Sequence, residues 1–240
     1  MPTCAPVIVM RTVAIIQARV GSSRLPMKSL LCLRGHALID WVVNRVSEAA
    51  RLDGVVVAMP DTERDRVLQA HLEDWGVAVV RGSEQDVLSR FLLAAEVTGA
   101  DRIVRICADN PFVWGEAIDR LVDFYNASSL DYCYNHIPRN NLWPDGLGAE
   151  ILSRDLLEDI GKKADQPSQR EHCLNYIWDN RDRFSIGTFD PEEDWLRRPE
   201  VKLDIDTADD FCRLALLPVE MESDARAILA AYDGSSKDKE

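Results

Sequence analysis

The chain has 240 residues, 46% of them hydrophobic and 29% charged, a balance that suits a globular enzyme and excludes a disordered chain. Its formal net charge of −13 argues against nucleic acid as a partner, since binding a phosphate backbone needs a basic face. No apolar run approaches the roughly 18 residues of a membrane helix, and residues 7–10 are too short for the apolar core of a secretion signal, so a cytoplasmic chain with no membrane partner is expected.

Hydrophobic rhythm organises the first half. Residues 13–16 are an apolar run expected as a buried strand, and 37–50 repeat at helical spacing with Leu38, Ile39, Trp41, Val42, Val46 and Ala49 inward. A second strand is expected at 55–58. Asp61 is placed to cap a helix whose apolar face is Val67, Leu68, His71, Leu72 and Trp75, closed by Gly76. A strand at 77–80 leads to Ser83, which opens a helix over 86–98 in a Ser-x-x-Asp box. A strand at 103–106, a loop and a helix over 116–127 complete the pattern. Strands alternating with helices in this way predict an α/β fold with a largely parallel sheet covered on both faces. Such sheets bind ligands outside the carboxyl ends of their strands.

The rhythm breaks after Leu130. Residues 131–150 combine Asn135, Pro138, Asn140, Asn141, Pro144, Gly146 and Gly148 with Tyr132, Tyr134 and Trp143, and are expected as an inserted arm whose aromatics pack against something. Helices over 153–163 and 169–180, strands at 185–189 and 201–205, and helices from Thr207 and Ser223 follow. Residues 234–240 read as a frayed polar tail. The expected organisation is one domain over 1–240. Cys4, Cys32, Cys107, Cys133, Cys173 and Cys212 show no C-x-x-C pair, which points to reduced thiols and not to zinc or disulfides.

Three loops carry chemistry. From residue 1 to 39 there is no Asp or Glu, yet Arg11, Arg19, Arg24, Lys28 and Arg34 are present, so an acidic chain reserves this stretch for an anion. The stretch Gln17-Ala18-Arg19-Val20-Gly21-Ser22-Ser23-Arg24-Leu25-Pro26-Met27-Lys28 leaves the first strand, with Gly21 allowing backbone amides to approach a phosphate oxygen. It is not a Walker A loop, because no second glycine follows Gly21 ahead of Lys28, and it lacks G-x-G-x-x-G. The second loop, Cys107 to Phe112, sets Asp109 just beyond a strand, where it suits a hard cation or simply starts a turn or caps the next helix. In the third, Asp204-Ile205-Asp206-Thr207, alternation puts Asp204 and Asp206 on one side as two metal ligands, while Asp206 or Thr207 could equally cap a helix.

At these residues the sequence resembles the cytidylyltransferases that activate acylneuraminate and Kdo-type sugar acids, and most of all their spore-coat polysaccharide branch. The likeness runs through Gln17-Ala18-Arg19-x-Gly21-Ser22-x-Arg24-Leu25-Pro26-x-Lys28, Gly82-Ser83-Glu84-x-Asp86-Val87-Leu88-x-Arg90-Phe91 and Val104-Arg105-Ile106-x-x-Asp109-x-Pro111. It continues through Asp131-Tyr132 with Asn135, Pro144-Asp145-Gly146-Leu147 with Glu150, Arg170-Glu171-His172 and Asp206-Thr207-x-x-Asp210-Phe211. The resemblance implies a nucleotide-diphospho-sugar transferase fold (Rossmann-like, three-layered), CTP as donor, Mg²⁺, an acidic acceptor, release of pyrophosphate and a homodimer built partly through the arm. It assigns Gln17, Ala18, Arg19, Gly21, Ser22, Arg24, Lys28, Asp86 and Asp109 to the nucleotide. It makes Arg19, Lys28, Asp109 and Asp206 catalytic, gives Asp109 and Asp206 the metal with Asp204 as a third candidate ligand, and sets Arg170 and His172 near the acceptor. Ala108 and Asn110 depart from many relatives, and Asp204 is more like the neuraminate branch. A glycosyltransferase, with Asp204-Ile205-Asp206 as its D-x-D metal motif, and a non-catalytic sugar-nucleotide-binding protein are the rival readings.

Overall fold

Residues 10–237 are described by the computed structural model. In chain order they form β1 (Thr12–Gln17), the short strands β2 (Cys32–Leu33) and β3 (His36–Ala37), α1 (Leu38–Ser47), β4 (Gly54–Pro60), α2 (Arg66–Asp74), β5 (Val79–Gly82), α3 (Val87–Thr98), β6 (Arg102–Cys107) and α4 (Gly115–Ala127). The second half adds β7 (Tyr132–Tyr134), β8 (Glu150–Ser153), α5 (Arg154–Lys163), α6 (Pro167–Glu171), α7 (Asn175–Asp179), β9 (Ile186–Gly187), α8 (Ala208–Ala215) and α9 (Ala225–Lys237). A seven-stranded sheet in the order β5-β4-β1-β6-β8-β7-β9 is the frame. β5, β4, β1 and β6 run parallel, β8 is antiparallel to both β6 and β7, and β9 pairs parallel with β7. This is the expected α/β architecture.

Alternation along each strand explains why both faces are covered. Ala14, Ile16, Val57, Val104 and Ile106 pack under α1, α2 and α4, while Val13, Ile15, Val56 and Ile103 pack under α3 and α5. A third cluster joins Trp41 and Phe112 to Trp143, Leu203, Ile205, Leu214 and Ile228, so the C-terminal third is anchored on the flank of the sheet. The buried Arg45 of α1 reinforces that anchor by donating to the carbonyls of Val113, Met221 and Ser223.

The structure departs from expectation at several elements. The 131–150 segment does not stand away as an arm: β7 and the start of β8 lie inside the sheet, and Asn135, Trp143, Leu147 and Ala149 are buried. Its aromatics do find partners, Trp143 against Phe189 and Tyr132 and Tyr134 against Trp178. Residues 201–205 are not a strand; a single bridge links Lys202 to Asp145. The helix expected over 169–180 is split at residues 172–174 into α6 and α7. α2 begins at Arg66, and Asp61 pairs with Arg81 in place of capping it, while Val67 and Trp75 are exposed. Residues 234–237 continue α9, and 238–240 lie outside the described residues. Cys4 also lies outside them. The other cysteines are free, and burial pushes the Cys107 thiol up to about 12 and those of Cys133 and Cys173 to about 11, which makes them inert.

The sheet closes around Asn135, which is fully buried. Its side chain donates to Ala117 O (2.9 Å) and accepts from Ala149 N (2.9 Å), tying α4 to the turn before β8. Gly148 is required there, because a Cβ would lie 2.3 Å from the Asn135 carbonyl oxygen. Asn135→Ala orphans a buried N–H and a buried C=O at about 1–3 kcal/mol each. The expected result is a fall in melting temperature of several degrees, at roughly 2–4 °C per kcal/mol for a chain of this size.

Candidate active site

The loops after β1, β5 and β6 emerge on one edge of the sheet, where the parallel-sheet rule places ligands. The basic loop is folded back on itself. Ala18 N–H donates to Ala58 O (3.2 Å), Met27 N–H to Val20 O (3.0 Å), and Ser29 Oγ to Arg19 O (3.1 Å). Met27 takes a left-handed backbone, φ 60°, which turns the chain into the single 3₁₀ turn Lys28–Leu30. A fully buried carboxylate, Asp65, accepts the Val20 N–H at 2.9 Å and also binds the Thr62 hydroxyl. Sequence reasoning missed Asp65; Thr62-x-x-Asp65 is a local turn pattern with nothing in it to announce a contact 45 residues away.

On one side of this loop lies an acid cluster. Lys28 Nζ donates to Asp109 Oδ2 (3.1 Å) and to Ile205 O (2.7 Å), and Arg24 Nη2 lies 2.8 Å from Asp206 Oδ1. Lys202 Nζ is 3.5 Å from Asp204, 3.9 Å from Asp206 and 3.6 Å from Asp210. Thr207 caps α8 in a reciprocal box with Asp210, and α4 begins at Gly115, so neither Asp206 nor Asp109 caps a helix. Asp204 and Asp206 do face one cation as alternation implies. Even so, among the described residues no three carboxylate, imidazole or thiol groups are drawn together tightly enough to hold a metal ion.

A further acid enters this cluster from the 131–150 segment. Asp145 exchanges backbone hydrogen bonds with the 201–203 stretch (Asp145 N to Val201 O and Leu203 N to Asp145 O, both 2.9 Å). The next residue, Gly146, has φ +92° and lets Asp204 N approach to where a Cβ would stand 3.0 Å away. Burial, and then the charge of Asp204, push the Asp145 carboxyl up to about 7, although Lys202 opposes this. Burial also raises Asp204, whose Oδ1 is buried without a hydrogen-bond partner. Carboxylates crowded and undersatisfied in this way suit a divalent cation, whose charge would relieve both defects.

On the other side of the loop, Arg19, Glu84, Asp86, Arg170 and Glu171 line a cleft of about 580 Å³. Arg170 grips Asp86 Oδ2 through Nε (3.0 Å) and Nη2 (2.5 Å), while Asp86 Oδ1 caps α3 by accepting from Ser89 N (2.9 Å). Arg19 Nη2 is 4.0 Å from Glu171. His172, expected beside Arg170, lines a separate cavity of about 320 Å³ with Arg105, His136 and Glu150. Gln17 reaches that second group, its Oε1 accepting from Arg105 Nη2 at 3.4 Å. Gly21 lies under the Arg64 guanidinium, which also pairs with Glu84.

The family model for cytidylyltransferases matches residues 13–216. The chain belongs to the cytidylyltransferase family. A Bacillus subtilis spore coat polysaccharide biosynthesis protein, SpsF, is 35% identical over 202 residues, covering 82% of each chain. A Bdellovibrio bacteriovorus 3-deoxy-manno-octulosonate cytidylyltransferase is 36% identical over 119 residues, 48% of this chain and 46% of that one. The solved structure of a cytidylyltransferase from Leptospira borgpetersenii superposes with a TM-score of 0.84 at 26% identity, covering 96% of both chains. The cytidylyltransferase assignment makes the protein a nucleotidyltransferase and accounts for its nucleotide-diphospho-sugar transferase fold.

In this cytidylyltransferase Asp145 links stability to pH. Its folded carboxyl binds a proton more tightly than the unfolded one, so it lowers stability as pH rises from about 4 through about 7, and the full penalty applies above that. Asp145→Asn is expected to raise the melting temperature at pH 8 in metal-free buffer and to leave it nearly unchanged at pH 4. Equal shifts at both pH values would mean that the carboxylate is relaxed in the folded chain.

Proposed function

We propose that this cytidylyltransferase transfers CMP from CTP to a sugar acid of the nonulosonate or Kdo-like class, with Mg²⁺ as cofactor and pyrophosphate as the leaving group. The observation that carries this reading is the meeting of Lys28 with Asp109, which sets the basic loop against the acid cluster. A triphosphate lying along that loop finds Arg19, Ser22, Arg24 and Lys28 as donors, Gly21 as the point of close approach, and Gln17 and Ala18 at its base. Asp109 and Asp206 would hold the metal, and Asp204, with its unpartnered oxygen, would have to move closer to join them as a third ligand. When bound, Mg²⁺ supplies charge neutralisation and polarisation of the α-phosphate.

The residues present divide the remaining work. Lys28 and the arginines stabilise charge on the departing pyrophosphate, an electrostatic and positioning role that needs no covalent intermediate. Asp86 holds Arg170 across the cleft, which leaves Arg19 free to turn from Glu171 to a phosphate. The family resemblance adds a homodimer to this reading, and the sequence a cytoplasmic location.

The donor is tested by thermal shift. In Mg²⁺, CTP is expected to stabilise the chain more than ATP, GTP or UTP, by roughly 2.7 kcal/mol at about 100 times its dissociation constant. Equal shifts with all four would remove the cytidine assignment. Turnover against a panel of sugar acids should release pyrophosphate; free nucleoside diphosphate would instead mark a glycosyltransferase.

Lys28→Met keeps the aliphatic stem and deletes the charge. Its expected effect is a loss of about 10² to 10³ in kcat with the fold intact, the usual size for one preorganised electrostatic group. Wild-type turnover in this variant would free the loop from a catalytic role.

A further inference from the structure

The cavity beyond His172 is built on a buried ion pair that the chemistry above leaves unused. The register of β6 on β8 sets Arg105 directly opposite Glu150, and alternation sends both side chains to the face under α5 to α7. Arg105 donates to Glu150 Oε2, the Tyr132 hydroxyl donates to Oε1, and His136 Nε2 lies 3.8 Å from Oε2. Burial by itself would raise the Glu150 carboxyl, but Arg105, His136 and Tyr132 outweigh it and hold it below the usual carboxylate range. Burial lowers the His136 imidazole, against the pull of the Glu150 charge and a hydrogen bond to the Ala149 backbone. The carboxylate is thus satisfied and the pair stays ionised.

The two basic groups are not satisfied. Arg105 Nε and His136 Nδ1 are both buried without a hydrogen-bond partner. The Cys173 thiol is the group beside Arg105, and it is a weak acceptor. A buried polar atom left unpaired costs about 1–3 kcal/mol, and here both residues line one cavity of about 320 Å³ with Arg139, His172 and Asn175. Arg105 and Glu150 cancel in charge, and Asp179 is engaged by Gln169 at 2.8 Å. Arg139, stacked on Trp178 at 4.4 Å, balances the Asp179 carboxylate, so the formal charges lining the cavity cancel and its unpaired buried nitrogens are what mark it. Gln17 bridges this cavity to the start of the phosphate loop.

We propose that Arg105 Nε and His136 Nδ1 bind the carboxylate of the acceptor, with Glu150 as the positioning residue that fixes the guanidinium. This rests on the reading of the acceptor as an acid, and it assigns the selectivity for that acid to a cross-strand pair inside the sheet. A site that spends buried donors on a carboxylate rejects the uncharged analogue strongly, because the donors are then left unpaired.

The test measures binding to the full chain by ligand-observed NMR, with 3-deoxy-manno-octulosonate, N-acetylneuraminate and their methyl esters as probes. Arg105→Lys keeps the charge against Glu150 and removes the Nε–H, while His136→Phe keeps the ring and leaves the ion pair whole, so it serves if the first variant folds poorly. At least one acid should bind the wild type, its ester about tenfold more weakly, and each variant should weaken the acid about tenfold, the loss of one hydrogen bond to a charged group. CTP affinity, measured in parallel, should not change. The proposal is overturned if the variants bind the acid as the wild type does, if ester and acid bind alike, or if neither acid binds. Acid binding that follows this pattern without CTP binding would sink the cytidylyl-transfer reading and leave the carboxylate site standing.

Discussion

Lys28 Nζ joins three parts of the chain that are far apart in sequence: its own loop after β1, Asp109 after β6, and the Ile205 carbonyl in the 201–206 stretch. The side chain is only 13% exposed, so its contacts are made in a low-dielectric setting and its charge must be matched there. Much of the surrounding geometry serves that junction. Asp65 pins the Val20 amide, Met27 turns the backbone, and the Ile205 amide donates back to Asp109 O at 2.9 Å. A loop held in this way presents its cations without paying the cost of ordering them when an anion arrives.

The same junction explains how a chain of net charge −13 can hold a polyanion. Local potential matters more than the total, and the basic loop is flanked by acids that its own cations engage. Arg24 rests on Asp206, Lys28 on Asp109, and Lys202 among Asp204, Asp206 and Asp210. Crowding remains, visible in the Asp145 carboxyl pushed up to about 7 and in the unpartnered Asp204 oxygen. A cation and a triphosphate arriving together would exchange partners with these groups at little net cost in charge.

The split of the expected helix at residues 172–174 has a comparable consequence. Arg170 and Glu171 end α6 facing the cleft with Arg19 and Asp86, whereas His172 turns into the cavity with Arg105 and Glu150. One short motif therefore walls two compartments, and Gln17, at the start of the basic loop, accepts from Arg105 of the second.

Local pattern alone determined the alternation of β1, β4, β5 and β6 with α1 to α4, because burial on both sides of a parallel strand needs apolar runs and the covering helices need a 3.6-residue stripe. It also marked the loops after β1 and β6 as the place to look, and the motifs in them carried the family. Tertiary structure decided the rest. Residues 131–150 are rich in the turn formers Asn, Pro and Gly, yet Tyr132–Tyr134 and Glu150 complete the sheet, since their partners lie in β6 and β9 and leave no local trace. Residues 201–205 alternate like a strand but find only the bridge to Asp145 as a partner. Asp65, Asp145 and the Arg105–Glu150 pair act across 45, about 60 and 45 residues, and a charge placed by a distant register is invisible to any window of sequence short enough to show a period.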